Sequence, residues 1–139
     1  MPSIVSYRKF IDSLVTRELR LPEDAQRQRL GTELATIEGV TYVSLPDGAT
    51  LPEDQPQEIV GSIATVTLTD AMRSAIKAAS PHVRLVNQRV REAIADRYSM
   101  ADEIKLLRTA PSAEALAYNA YAEDCRDWGR AEKAKLGLA

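Results

Sequence analysis

The chain has one cysteine and one histidine among its 139 residues. A single cysteine excludes an intrachain disulfide, and with a single histidine it cannot supply the nitrogen and sulfur ligands of a structural zinc site. Aromatic side chains make up only 5% of the sequence, while the apolar share is 45% and much of it is alanine. This composition excludes a bulky aromatic interior and favours closely packed helices. No run approaches the ~18 apolar residues of a membrane-spanning helix, and the opening Met1-Pro2-Ser3-Ile4-Val5-Ser6 lacks the apolar stretch of a signal peptide. The six glycines are scattered, and none opens a helix at the spacing of a phosphate-binding loop. The expectation is a soluble protein made in the cytoplasm, without cofactor, metal or membrane partner.

A strong charge of either sign is also lacking. The formal net charge is -2, with six basic and ten acidic side chains in residues 1–60 and twelve and ten in residues 61–139. Nearly every basic stretch is interleaved with Asp or Glu, so no clustered footprint for a phosphate backbone exists. Nucleic acid is therefore not an expected partner.

What the sequence does carry is a series of helix-start signals. Thr69 is positioned to cap a helix over residues 70–79, with Met72, Ala75, Ile76 and Ala79 on one face. Ser80-Pro81 opens the next, where proline at the first helical position sacrifices no needed donor. Its apolar stripe is Val83, Val86, Val90 and Ile94. Ser99 followed by Asp102 resembles a capping box, and Met100, Ile104 and Leu107 supply the stripe of a short third helix. Pro111-Ser112 restarts the chain as a long last helix whose Tyr118, Tyr121, Cys125 and Trp128 recur at three- and four-residue spacing. Gly129 then marks a bend, a cap or a close approach to a neighbour, at a cost of about 1 kcal/mol relative to alanine.

The N-terminal half reads differently. Residues 1–30 give no assignment beyond a turn or helix start at Pro22-Glu23-Asp24. Leu34-Ala35-Thr36-Ile37 and Val40-Thr41-Tyr42-Val43-Ser44-Leu45 flank Glu38-Gly39 as a β-hairpin, which must pack on helices or add to another chain's sheet. Residues 46–56 hold three prolines and three acids, the composition of an extended solvated linker. Residues 59–64 suit a helical turn, and Thr65-Val66-Thr67-Leu68 a strand. The fold class is thus mainly α (α+β), a C-terminal bundle of about four helices preceded by a small β-hairpin and a proline-rich linker. A boundary is expected between residues 1–57, holding hairpin and linker, and a helical domain over 58–139.

Catalytic groups are few and dispersed. His82, in a first helical turn with no indicated partner, reads as a neutral surface histidine. Cys125 reads as a buried core thiol. The adjacent acids Asp102-Glu103 and Glu123-Asp124 point about 100° apart on a helix and do not converge, while Glu123 with Arg126 and Asp127 with Arg130 suit solvated ion pairs. An enzyme is not expected. The aromatic seam reads first as core packing. Tyr118, Tyr121, Arg126, Trp128 and Arg130, together with Tyr42 of the hairpin, are the candidates for contact with a partner protein, since Tyr, Trp and Arg dominate interface hot spots.

Two stretches carry a resemblance. Gly31-Thr32-Glu33-Leu34-Ala35-Thr36-Ile37-Glu38-Gly39-Val40-Thr41-Tyr42-Val43, and Ala117-Tyr118-Asn119-Ala120-Tyr121 with Asp124-Cys125-Arg126-Asp127-Trp128-Gly129-Arg130, resemble short proteins encoded among the tail and tail-fibre genes of bacteriophages and prophages. The resemblance implies a non-enzymatic structural or adaptor protein of the baseplate or tail-fibre region, with other tail proteins, the fibre or a second copy of itself as partner. It would be found in the host cytoplasm during assembly and in the virion tail if structural. The alternatives are a tail-fibre assembly chaperone absent from the mature virion and a small regulatory protein that binds a host factor.

Overall fold

A computed structural model describes residues 2–139. The described residues form a mixed α+β fold of four strands and five helices: β1 (Ser3–Tyr7), β2 (Thr32–Ile37), β3 (Val40–Leu45), α1 (Gln57–Val60), β4 (Ala64–Val66), α2 (Asp70–Ala79), α3 (Pro81–Arg97), α4 (Met100–Thr109) and α5 (Ala113–Lys135). The strands make one sheet in the order β2-β3-β1-β4, antiparallel throughout. The expected hairpin is β2–β3. Its two-residue turn holds both Glu38 (φ 51°) and Gly39 (φ 80°) left-handed, the primed turn whose twist matches paired strands. β1, which the sequence did not reveal, lies in the middle of the sheet between β3 and β4.

Alternation along β1 divides the interior in two. Ile4 points to one face, where it packs with Leu34, Ile76, Val83, Leu136 and Leu138 under the helices. Val5 and Tyr7 point to the other, against Leu19, Val43, Leu45 and Ile59. Full burial of side chains such as Leu34, Ile59, Ile76 and Leu138 contributes about 1.5–3 kcal/mol each. A bulge between Glu33 and Ala35 lets Leu34 and Ala35 both be buried, which strict alternation would forbid.

Residues 46–56 are not a solvated linker. Ala49 and Leu51 pack on the second core, and Gln55 fastens the segment to residues 9–31. Its side chain accepts from the Arg20 amide at 2.8 Å and donates to the Arg20 carbonyl at 2.9 Å, beside an Arg20–Asp54 ion pair at 2.6 Å. Irregular chain thus covers one sheet face as helices cover the other. The expected division at residue 57 is crossed by the pairing of β4 with β1, and by Leu136 and Leu138 sharing a core with Ile4. The C-terminus reaches that core through a left-handed Gly137 (φ 76°), with the Gly137 and Leu138 amides donating back to Ala134 and Lys133.

The helical caps fall where the sequence placed them, on Thr69, Ser80, Ser99 and Ser112. The four longer helices pack one on another, α2 on α3, α3 on α5 and α4 on α5. The principal helical contact joins α3 to α5, α2 lies against β2, and α4 touches only α5 to any extent. Along α5 the buried positions are Ala115, Ala122 and Gly129, seven residues apart, with buried Leu136 at the C-cap, so the small residues form the seam that admits α3. The helix continues without a break through Gly129, where an added Cβ would lie 2.8 Å from Val90 Cγ2 and 3.8 Å from Val86 Cγ1.

Gly129→Ala therefore sets a helix-propensity gain of about 1 kcal/mol against an overpacking cost of about 1–3 kcal/mol. Val90, β-branched and held between two helices, has little freedom to yield. Urea denaturation should show net destabilisation in Gly129→Ala alone, and stabilisation when the same change is made in a Val90→Ala background.

Candidate protein-contact surface

The aromatic residues of α5 divide between structural and surface roles. Tyr118 meets Tyr98 edge to face, with ring centroids 4.9 Å apart. Tyr121 donates its hydroxyl to the Ala93 carbonyl at 2.8 Å, and the Arg97 guanidinium stacks 4.5 Å from its ring. These contacts tie the end of α3 to α5 at the point where the chain turns into α4. Desolvation, ahead of neighbouring Glu103 for Tyr118 and Cys125 for Tyr121, raises both phenols above their ordinary pKa.

Trp128 is not core. It is 42% exposed and lines a shallow apolar groove of about 230 Å³ with Val90, Ala93, Asp124 and Cys125. Cys125 is half-buried at the edge of the α3–α5 contact. The reading of the Tyr/Trp seam as the core stripe is thus corrected: the stripe lies one position away, on the alanines and Gly129, because close helix approach selects the smallest side chains. Arg126 and Arg130 project from a different side of α5. Each residue turns the helix by about 100°, which carries Arg130 some 160° from Trp128. Both arginines are engaged with acids, Arg126 with Glu123 at 2.9 Å, and Arg130 with Glu123 at 3.0 Å and with Asp127. Tyr42 lies on the sheet, packed against the first core. The six candidates therefore do not make one patch.

An apolar surface is present elsewhere. α4 buries none of its residues, and its Met100, Ile104 and Leu107 fall on one stripe at four- and three-residue spacing. They are 77%, 48% and 70% exposed. α4 touches α5 through its neighbouring side, at Glu103 and Leu106, which are partly covered. The helix is stable in this position because of its cap. Ser99 accepts from the Asp102 amide at 3.1 Å, and Asp102 accepts from the Ser99 amide at 3.0 Å. The Ser99 amide and hydroxyl hold the Asp102 carboxyl below its ordinary pKa.

A second apolar feature lies in residues 9–17, which the sequence left unassigned. Arg17 donates to the Lys9 carbonyl at 2.9 Å, Ile11 donates to the Val15 carbonyl at 2.9 Å, and Asp12 Oδ1 accepts from the Leu14 and Val15 amides. The tip so formed displays Phe10, Ile11 and Leu14, the last 93% exposed. The signal was there as three large apolar residues around an Asp, a local turn former. His82 is exposed at the start of α3. Among the described residues no group of three or more His, Cys, Asp or Glu is placed to hold a metal ion, and no helix is long and apolar enough to cross a membrane.

Trp128→Ala should cost about 1–2 kcal/mol in a thermal melt, below the about 3–5 kcal/mol of a buried tryptophan. Acid should act on α4 and α5 through depressed carboxylates. Glu123 is held low by Arg126 and then Arg130, as Asp102 is by Ser99. A carboxyl with a lowered folded-state pKa contributes stability above its ordinary value, 4.5 for Glu and 3.8 for Asp, and loses it as pH falls further. Stability followed from pH 6 downward should decline below about 4.5, and Glu123→Gln with Asp102→Asn should flatten that decline.

Comparison with protein-family models, with curated proteins and with solved structures returns no match for this chain.

Proposed function

We propose that the protein is a non-enzymatic adaptor of a bacteriophage tail, in the baseplate or tail-fibre region, that holds another tail protein through the apolar stripe of α4. The phage setting rests on the resemblance of the hairpin and of the α5 sequence. The mode of action rests on one observation: Met100, Ile104 and Leu107 stand exposed on a single stripe of a capped helix. Single exposed apolar residues need no explanation, whereas a row of three large ones on an ordered helix is what a helix groove or a partner bundle buries. Trp128 with its groove and the residues 9–17 tip add apolar contact area. The protein acts in the host cytoplasm while tails assemble and remains in the virion.

Mass spectrometry of purified particles tests the setting, and a double substitution tests the surface. Met100→Glu with Leu107→Glu should leave the monomer's stability within about 0.5 kcal/mol per site, since both side chains are largely exposed, while excluding the protein from particles. Full incorporation of the double variant would remove α4 from the interface. Recovery of the protein on free fibres in infected cells but not in particles would favour the assembly-chaperone alternative.

A further inference from the structure

Two cavities open on the sheet face opposite the helices, beneath residues 18–30. The smaller, of about 210 Å³, reaches Tyr7 and Val43 of the sheet, and the larger, of about 480 Å³, extends to Pro52. Glu18, Leu19, Leu21 and Arg29 line both, so the cavities adjoin at those four residues. A short antiparallel turn places Arg29 there: the Leu30 amide donates to the Pro22 carbonyl at 2.7 Å, and the Asp24 amide to the Gln28 carbonyl at 3.0 Å.

The smaller cavity holds a hydrogen-bond donor that the fold does not use. Tyr7 is 2% exposed, and a buried tyrosine hydroxyl ordinarily finds a partner. The Leu19 amide faces its oxygen, which leaves the O–H proton without an acceptor among the described residues, since Glu18 and Glu33 act on it only through their charge. Most charged side chains of this region are engaged elsewhere. Lys9 is closed on Glu33 at 2.7 Å, Arg17 on Glu58 at 3.2 Å and Arg20 on Asp54 at 2.6 Å, whereas Glu18 and Arg29 line the cavity with no ion pair among the described residues. A hydroxyl and a guanidinium, both donors, thus share one small cavity with an unpaired carboxylate, and an apolar cavity adjoins it. The two donors call for an anionic acceptor and the carboxylate for a cation, so a ligand must carry both charges a few bonds apart. Glu23, on the larger cavity, is a second acid without an ion pair and disfavours a ligand that is only anionic. We infer that the joined cavities bind a free α-amino acid with an apolar side chain, its carboxylate held by the Tyr7 hydroxyl and Arg29, its ammonium by Glu18, and its side chain among Leu19, Leu21 and Pro52. The site lies across the sheet from the helices and is independent of the proposed adaptor contact on α4.

The probe is L-leucine, titrated into the full chain and followed by amide chemical shifts in NMR. Saturable shifts should appear at Tyr7, Leu19 and Leu21, with a Kd of about 1 mM or below. L-leucinamide, which lacks the carboxylate, and N-acetyl-L-leucine, which lacks the ammonium, should each bind about tenfold more weakly or worse, and so should glycine, which lacks the side chain. Arg29→Gln and Glu18→Gln, both at exposed residues, should weaken leucine binding by about tenfold each without moving the thermal melt. Tyr7→Phe, which keeps the ring in the core, should weaken it to a similar degree. No saturable shift at about 10 mM leucine, the behaviour of a cavity that holds only water, would overturn the inference. So would leucinamide or acetyl-leucine binding as tightly as leucine, or leucine binding that is indifferent to Arg29→Gln.

Discussion

The register of β1 is the constraint on which both interiors depend. Five residues in the middle of the sheet assign Ile4 to the helical side and Val5 and Tyr7 to the side covered by residues 9–31 and 46–63. A shift of one residue would invert that assignment and expose both sets. Its two neighbours come from either side of the proline-rich segment, β3 before it and β4 after, so pairing β1 closes the long connection between them. The C-terminal Leu138 then reports to the same strand by packing on Ile4. Beginning and end of the chain are thereby joined through one apolar cluster, and the helices are held to the sheet at a fixed point.

From that point outward, the helical half is organised by size more than by hydrophobicity. α5 gives its most buried positions to Ala115, Ala122 and Gly129, and its large aromatics sit beside them. The arrangement lets α3 approach until its valines touch the α5 backbone region at Gly129. Dispersion and close packing there replace the burial of big side chains. One consequence is that apolar residues not needed for the α3–α5 contact are left over on α4 and at Trp128. The exposed stripe is what remains when a small-residue seam satisfies the fold without it.

The local signals in the sequence were legible because they act at short range. Ser80-Pro81, the Ser99/Asp102 box, Ser112 and the Glu38-Gly39 turn each specify conformation through neighbours two or three residues away, and all are found in place. What was hidden depends on contacts far along the chain. β1 is five residues long and gains its identity from partners some forty and sixty positions later. The segment around Leu51 reads as linker by composition, and becomes a lid only because Val43, Leu45 and Ile59 offer it an apolar floor. The Tyr/Trp seam misled because helical spacing marks an apolar face without saying which of two adjacent stripes is the tighter. The same ambiguity applied to α4, whose periodicity gave a face but not the neighbour to cover it.

α3 sets the position of the exposed α4 stripe relative to the sheet. Its first turns, at His82 and Leu85, lie beside β2. α4 begins just past its last turn, where Arg97 and Tyr98 meet Tyr118 and Tyr121. α3 has 17 residues, so it carries the start of α4 about 25 Å from the β2 side. That helix is braced along one side by the α5 seam and at its start by the buried Ser80, which caps it. A spacer so held keeps the exposed stripe of α4 at a set distance and orientation from the sheet.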